Sequence, residues 1–377
     1  MSGRSDVAGT AARGGPALAA PKRTREPALV TVAQLADFDE IIDVRSEAEY
    51  AEDHIPGAVS CPVLTNEERA RVGTLYKQVS AFDAKKIGAA LVSANIARHL
   101  QQRFYERPRH WRPLVYCWRG GSRSAALAHV LHQVGWGVGR LDGGYRAYRR
   151  AVLADLERLP ARFGWRAVCG LTGTGKSRFL RVLAACGAQV LDLETLAAHR
   201  GSVLGNLPDA AQPTQKMFDS RVWQALHRLS PTRPVYIEAE SKKIGTLRVP
   251  DALIAAMWSS PCVVLEAPVG LRVALLKAEY RHLIDAPSAL IERLRGLTGL
   301  YGHAVIERWE ALARDRQWDA LTEDLLLTHY DPAYTRSTLK HYPGLEGALR
   351  LEVRGTGDEE YARLARECLG RESRAVP

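Results

Sequence analysis

No apolar run in this 377-residue chain approaches the ~18 to 20 residues needed to cross a bilayer, and its N-terminus has no signal-peptide core. A membrane protein is therefore not expected, and a cytosolic location is. Cysteine is sparse: Cys61, Cys117, Cys169, Cys186, Cys262 and Cys368 include no CxxC pair. That pattern disfavours a disulfide framework and a zinc knuckle, so each is read as a single thiol. Internal repeats are also missing. What is present is ordinary for a folded protein, with 46% hydrophobic and 25% charged residues, which excludes wholesale disorder. The length suggests two domains. A net charge of +10 favours polyanionic partners, although many proteins that bind only small molecules carry as much.

Residues 1–28 are rich in Gly, Ala, Pro, Ser and Arg, with five basic residues against two acidic, and read as a disordered basic tail. From Leu29 short β-rich runs alternate with amphipathic helices. Ile41 to Val44, Ala58 to Ser60 and Leu114 to Tyr116 read as strands, and Glu47 to Asp53 and Ser122 to Val134 as helices. Asn66 to Pro108 reads as a helical insertion with Lys85 and Lys86 on its polar side. Tyr145 to Leu159 reads as a helix ending at Pro160, where the first domain (29–160) closes. In the second (161–377), strands at Ala167–Cys169, Val190–Asp192, Val235–Ile237 and Val263–Leu265 alternate with helices at Arg178–Ala185 and Lys216–Leu229, before a helical C-terminal part. Both units are α/β with parallel sheets.

Cys117 directly follows the strand Leu114–Tyr116 and opens the loop Trp118-Arg119-Gly120-Gly121-Ser122-Arg123, from which a helix departs. A strand, a glycine-rich turn and a helix start aim backbone N–H groups at one point, a setting that stabilises an anion and favours a thiolate nucleophile. Arg119 and Arg123 add charge for a phosphate-like or sulfur-bearing anion. The bland alternative is a buried strand-end cysteine beside solvated arginines. Cys169, Cys186 and Cys262 stand among apolar neighbours and read as small hydrophobes, and Cys61, before Pro62, as structural or as a resolving thiol. Together with Ile41 to Tyr50 and the run Asp53-His54-Ile55-Pro56-Gly57-Ala58, the Cys117 loop resembles a rhodanese domain, whose cysteine carries a persulfide. The resemblance implies that Asp43 and Arg45 brace the loop and that His54–Ala58 is a structural turn. Cys117 and Arg123 also fit the Cys-x5-Arg spacing of thiol phosphatases, so that reading stays open.

Gly170-Leu171-Thr172-Gly173-Thr174-Gly175-Lys176-Ser177 fits G-x-x-x-x-G-K-S/T with a strand before it and a helix after it. Backbone N–H groups around Gly173, Thr174 and Gly175 would hold diphosphate oxygens, Lys176 would neutralise charge, and Ser177 would ligate Mg²⁺. Glu238 and Glu240 follow the strand Val235–Ile237 where a Walker B acid would sit; a polar strand end is the alternative. Lys242 and Lys243 either face the same anion or are surface lysines. No Asn-Lys-x-Asp motif marks a GTPase, and no acceptor site marks a kinase.

On one chain, a rhodanese-like parallel-sheet domain followed by a P-loop NTPase-like α/β domain closely resembles the tRNA 2-selenouridine synthase family. The stretches Arg69–Lys77, Leu141–Tyr145, Asp192–Ser202, Glu238–Ser241 and His329–Tyr334 carry the likeness further. The resemblance implies a transferase that alkylates the sulfur of wobble 2-thiouridine with geranyl diphosphate and then replaces the S-geranyl group by selenium from selenophosphate. It also implies tRNA as partner and admits a selenophosphate-supplying enzyme as another. The P-loop would then cradle geranyl diphosphate rather than ATP. Candidate tRNA contacts are Arg146, Arg149 and Arg150 on the linking helix, Arg178 and Arg181 beside the P-loop, and Lys85 and Lys86. A bifunctional thiol phosphatase and small-molecule kinase, or a non-catalytic tRNA-binding regulator, are the competing functions.

Overall fold

The structure is a computed structural model that describes residues 26–202 and 204–375. The basic tail, up to Arg25, lies outside the described residues.

The first sheet is all parallel, in the order β1-β5-β4-β2-β3, from β1 (Ala28–Val30), β2 (Glu40–Asp43), β3 (Val59–Ser60), β4 (Pro113–Tyr116) and β5 (Gly139–Leu141). β4 is buried along its whole length, as a central strand covered on both faces must be. Its alternation divides the core. Leu114 and Tyr116 pack with Tyr145, Tyr148 and Val152 on one side, and Val115 packs with Ile96, Leu127 and Leu131 on the other. Helix α1 (Glu47–Glu52) begins at a capping box in which the Ser46 N–H donates to Glu49 Oε2 at 3.1 Å. The insertion is a helical hairpin of α2 (Asn66–Gln78) and α3 (Ala81–His99), and the Thr65 and Ser80 side chains cap the two starts. After β4 come α4 (Ser122–Val134) and α5 (Gly144–Arg158).

The second sheet is also parallel, in the order β12-β11-β6-β8-β7. Its strands are β6 (Trp165–Cys169), β7 (Gln189–Leu191), β8 (Val235–Glu238), β11 (Cys262–Glu266) and β12 (Leu349–Glu352), with β9 (Lys243–Ile244) and β10 (Leu247–Arg248) forming a separate small hairpin. Helix α6 (Lys176–Ala185) packs Phe179, Leu180 and Leu183 on one face against Val168 and Tyr236, beside Tyr361 and Leu364 of the last helix. On the other face, Phe218 and Val222 of α8 (Gln215–His227) join Ala167, Val235 and Ile237. Short α7 (Leu193–Ala197) leaves the end of β7. Leu349 and Leu351 alternate too briefly to stand out in a helix-rich sequence, and β12 was not expected there.

Helix α5 joins the halves. Its residues share one buried apolar cluster with both sheets. Across the junction Arg149 pairs with Asp219 at 2.5 Å, the Trp223 indole donates to Asp155 at 2.9 Å, and the Gln224 amide donates to the Pro56 carbonyl at 3.2 Å. β4 and β6 are each central in their sheets, so the loops that follow them open at carboxyl ends of strands, where α/β proteins place ligands.

Candidate active sites

Cys117 is the first residue beyond β4 and is only 3% exposed. Its Sγ lies 3.2 Å from Ser124 Oγ, whose hydroxyl donates to the Gly121 carbonyl at 3.1 Å. Rotation of that hydroxyl towards sulfur would supply a donor to a thiolate. The loop is held from behind by the turn Leu141–Tyr145. The Tyr145 and Arg146 N–H groups donate to the carbonyls of Cys117 and Trp118 at 2.8 and 3.1 Å. Gly144, at φ +57°, leaves no room for a side chain, because a Cβ there would sit 2.3 Å from the Cys117 carbonyl oxygen. The Trp118 ring stacks on Tyr145 with centroids 5.2 Å apart. Arg119 and Ser122 are exposed, whereas Arg123 donates to Glu49 at 2.9 Å. Burial pushes the Glu49 carboxyl up, but Arg123, the Ser46 N–H and Arg69 bring it below its ordinary value.

Asp43 and Arg45 stand under this loop. The Arg45 guanidinium is 1% exposed, lies 2.6 Å from Asp43 Oδ2, donates to the Asp53 carbonyl at 2.6 Å and sits 4.0 Å over the Tyr145 ring. The Tyr116 hydroxyl donates to the same Asp43 carboxylate at 2.7 Å. β2, β4 and the start of α5 are thus tied at one buried charge pair. Removing one partner strands the other, so Arg45→Met should lower stability by about 3–5 kcal/mol in denaturant unfolding; a loss under about 1 kcal/mol would show the pair to be dispensable. The His54–Ala58 segment is a tight turn, with the Ala58 N–H donating to the Ile55 carbonyl at 2.8 Å and Gly57 at φ +87°.

The second site is the loop from β6 to α6. Gly170, Gly173 and Gly175 all have positive φ. A Cβ on Gly175 would lie 2.0 Å from Tyr361 Oη, and one on Gly173 would lie 2.9 Å from Leu276 Cγ. Lys176 Nζ donates to the Gly170 carbonyl at 3.0 Å and lies 3.5 Å from Glu238 Oε1. Burial opposes its charge, yet Glu238, Tyr334, Glu194 and Glu240 together hold the ammonium above the lysine range. Ser177 Oγ is 2.9 Å from Glu194 Oε2 and 3.0 Å from Glu238 Oε2.

Glu194, Glu238 and Glu240 bring carboxylate oxygens within 4.8 Å of one another. Burial and the Glu238 charge push Glu194 well up and Glu240 up to about 8. Three hard oxygen donors around a hydroxyl, short of positive charge, suit Mg²⁺. Gly201 makes the approach possible, since a Cβ there would fall 2.8 Å from oxygens of both Glu194 and Glu240. Glu194 was not singled out from sequence. Its signal is Asp192, whose carboxylate caps α7 by accepting from the Thr195 N–H at 2.9 Å at the end of the strand next to β8.

Three further residues hold the P-loop from the C-terminal part. The Gly170 N–H donates to Tyr334 Oη at 2.7 Å, the Tyr361 hydroxyl donates to the Thr174 carbonyl at 3.0 Å, and Arg272 donates to the Thr172 carbonyl at 2.7 Å while gripping Asp331. Beyond Thr172 lies an apolar cleft, partly open to solvent, walled by Leu276, Leu283, Leu321, Leu325 and Tyr330.

The basic residues of the linking helix and of α6 divide. Arg149 is committed to Asp219 and the Lys216 carbonyl, and Arg178 to Asp358 and the Thr356 carbonyl. Arg146, Arg150 and Arg181 are exposed. Lys242 lies 5.3 Å over the Trp258 ring and Lys243 is exposed. Cys61 is buried, which pushes its thiol up to about 11. Cys186, read as an apolar position, is instead exposed just past the end of α6. Among the described residues no helix is long and apolar enough to cross a membrane.

A model of the rhodanese-like domain matches residues 30–151, and one described as the tRNA 2-selenouridine synthase AAA domain matches residues 164–293. Curated relatives agree. The chain is 36% identical over 340 residues to the tRNA 2-selenouridine synthase of Hydrogenovibrio crunogenus, covering 80% of this chain and 92% of the relative. The Aeromonas salmonicida protein of that name is 32% identical, covering 78% and 86%. That of Nitrosomonas europaea is also 32% identical, but the match covers 68% of this chain and just under two thirds, 66%, of the relative. Among solved structures, a rhodanese-related protein from Thermoplasma volcanium is 17% identical, covers 33% of this chain and 92% of its own, and has a TM-score of 0.22. With both domain models in register with the two sheets and relatives matched over most of their length, the chain belongs to the tRNA 2-selenouridine synthase family.

Proposed function

We propose that this chain converts the wobble 2-thiouridine of tRNA to 2-selenouridine in two steps, alkylation of the sulfur by geranyl diphosphate and then displacement of the S-geranyl group by selenium from selenophosphate. The observation that carries the reading is the P-loop whose Thr172 forms one wall of an apolar cleft. A prenyl diphosphate presents a charged head and an apolar chain in that order, which matches a phosphate cradle with an apolar cleft beside it. In the first step Lys176 and the loop N–H groups would take up the charge that develops on the leaving diphosphate. Ser177, Glu238, Glu194 and Glu240 would hold Mg²⁺, which screens diphosphate charge when bound. The nucleophile is the thiouridine sulfur; the C–O bond of the donor breaks as the S–C bond forms. In the second step the C–Se bond would form at C2 of the base as the C–S bond breaks and geranyl thiol leaves, while water cuts the P–Se bond of selenophosphate to release phosphate. Cys117 would handle the chalcogen, with Arg119 placed for the selenophosphate anion.

The cleft gives this reading its own test. Leu276→Asn puts an amide beside the chain and should weaken geranyl diphosphate binding about ten- to a hundredfold, since burying a leucine-sized apolar surface is worth ~1.5–3 kcal/mol, while inorganic diphosphate binds as before. Equal affinity of the wild type for inorganic and geranyl diphosphate would contradict the assignment.

A further inference from the structure

The hairpin of α2 and α3 ends in a tip that the two sites above do not use. Tyr76, Val79 and Phe82 fall within seven residues there and are 58%, 71% and 70% exposed. Single exposed apolar side chains are common on protein surfaces, but two aromatic rings and a valine gathered at the turn between two helices are not scattered. The surrounding charge is mainly positive. Residues 71–90 hold Arg71, Lys77, Lys85 and Lys86 against Asp83 alone. The Lys86 ammonium lies 5.0 Å from the Phe82 ring centroid and 2.7 Å from Asp83, so Lys77 and Lys85 carry the uncompensated charge.

The hairpin is anchored at its root and free at its tip. At the root, Asn95 donates to Glu68 at 2.8 Å and to the Val63 carbonyl at 3.1 Å. Arg69 of α2 reaches Glu49 at 3.2 Å, the carboxylate that also holds Arg123 of the Cys117 loop. Among the described residues, the hydrogen bonds and ion pairs of residues 71–86 are all made within the hairpin. Val72 packs on Gly88, where a Cβ would sit 3.4 Å from Cγ1, which keeps the two helices close. The thirteen residues of α2 therefore carry the tip about 20 Å from the root of the hairpin at ~1.5 Å per residue.

We propose that this tip is a docking point for the tRNA, with unpaired bases stacked on Tyr76 and Phe82 and phosphates met by Lys77 and Lys85. The inference rests on the tRNA reading above and adds where the RNA is held. Aromatic faces accept any base, and flanking lysines track the backbone without reading sequence. A protein partner would find the same apolar rings, but nothing in its chemistry calls for a mainly positive rim; a polyanion does. Anchored beside the Cys117 loop, the tip would hold nucleotides away from the reacting base, which leaves that base free to move between the two sites.

The test is fluorescence-anisotropy titration of the full-length protein with an unmodified tRNA transcript over a salt series, with a fully paired RNA duplex as the second ligand. Tyr76→Ala/Phe82→Ala should raise the Kd for tRNA about ten- to a hundredfold, as loss of one or two stacked bases predicts, and change duplex binding little. Phe82→Trp should bind as the wild type does, which also shows that the tip tolerates substitution. Lys77→Glu/Lys85→Glu should flatten the log–log salt dependence by about 1.5. A double aromatic variant that binds tRNA within twofold of the wild type at every salt concentration overturns the proposal and marks the tip as a protein-docking face. A wild type that fails to bind tRNA at all overturns the tRNA reading itself, and the two failures are told apart by that control.

Discussion

Cys117→Ala should abolish selenium incorporation, leave the fold intact and let the S-geranylated intermediate accumulate. Removing a nucleophile lowers turnover elsewhere by 10³-fold or more, about the loss expected here. The effect on stability should stay within about 1–2 kcal/mol, because the thiol contributes only weak contacts to Ser124 and the Gly121 carbonyl while the loop hangs on backbone bonds from Tyr145 and Arg146. The other cysteine beside the first sheet makes a poor substitute. Burial pushes Cys61 up to about 11, so at neutral pH it stays a thiol. The assignment is wrong if Cys61→Ala loses 2-selenouridine formation while Cys117→Ala keeps it.

Lys176→Ala should block the alkylation that precedes this step. Its ammonium donates to the Gly170 carbonyl at 3.0 Å and is, among the described residues, the one side-chain cation paired with Glu238, at 3.5 Å. Without it the diphosphate head meets three carboxylates gathered within 4.8 Å and one fewer compensating charge. A loss of about 10²–10³ in the rate of geranyl transfer is expected, the size of removing one preorganised donor from a developing negative charge. Stoichiometric ATP hydrolysis during turnover, without dependence on a prenyl diphosphate, would instead assign the loop to an NTPase.

What could be seen in the sequence was what a few adjacent residues determine. The P-loop is one such feature, since the glycines, Lys176 and Ser177 work through a single turn between β6 and α6. The Cys117 loop is another, because Gly120, Gly121 and the helix start stand next to the thiol in the chain. Contacts made at a distance were not visible. Arg149 has the look of a free cation on a helix until Asp219, seventy residues later, is folded against it. Glu194 becomes part of the carboxylate group only because β7 lies beside β8. Tyr334, Tyr361 and Arg272 clamp the P-loop from a region whose sequence shows helices and little else. The apolar cleft is assembled from residues between Thr172 and Tyr330, and no local pattern announces it.

Nucleoside mass spectrometry separates the two sites most directly. A deletion strain would be complemented in turn by the wild type, Lys176→Ala and Cys117→Ala, with selenium supplied, and the wobble uridine of its tRNA digested and identified. Two sites acting in succession predict 2-selenouridine from the wild type, unaltered 2-thiouridine from Lys176→Ala, and S-geranyl-2-thiouridine from Cys117→Ala. Selenouridine formed by Lys176→Ala, or unaltered 2-thiouridine alone in the Cys117→Ala strain, would contradict that order of events.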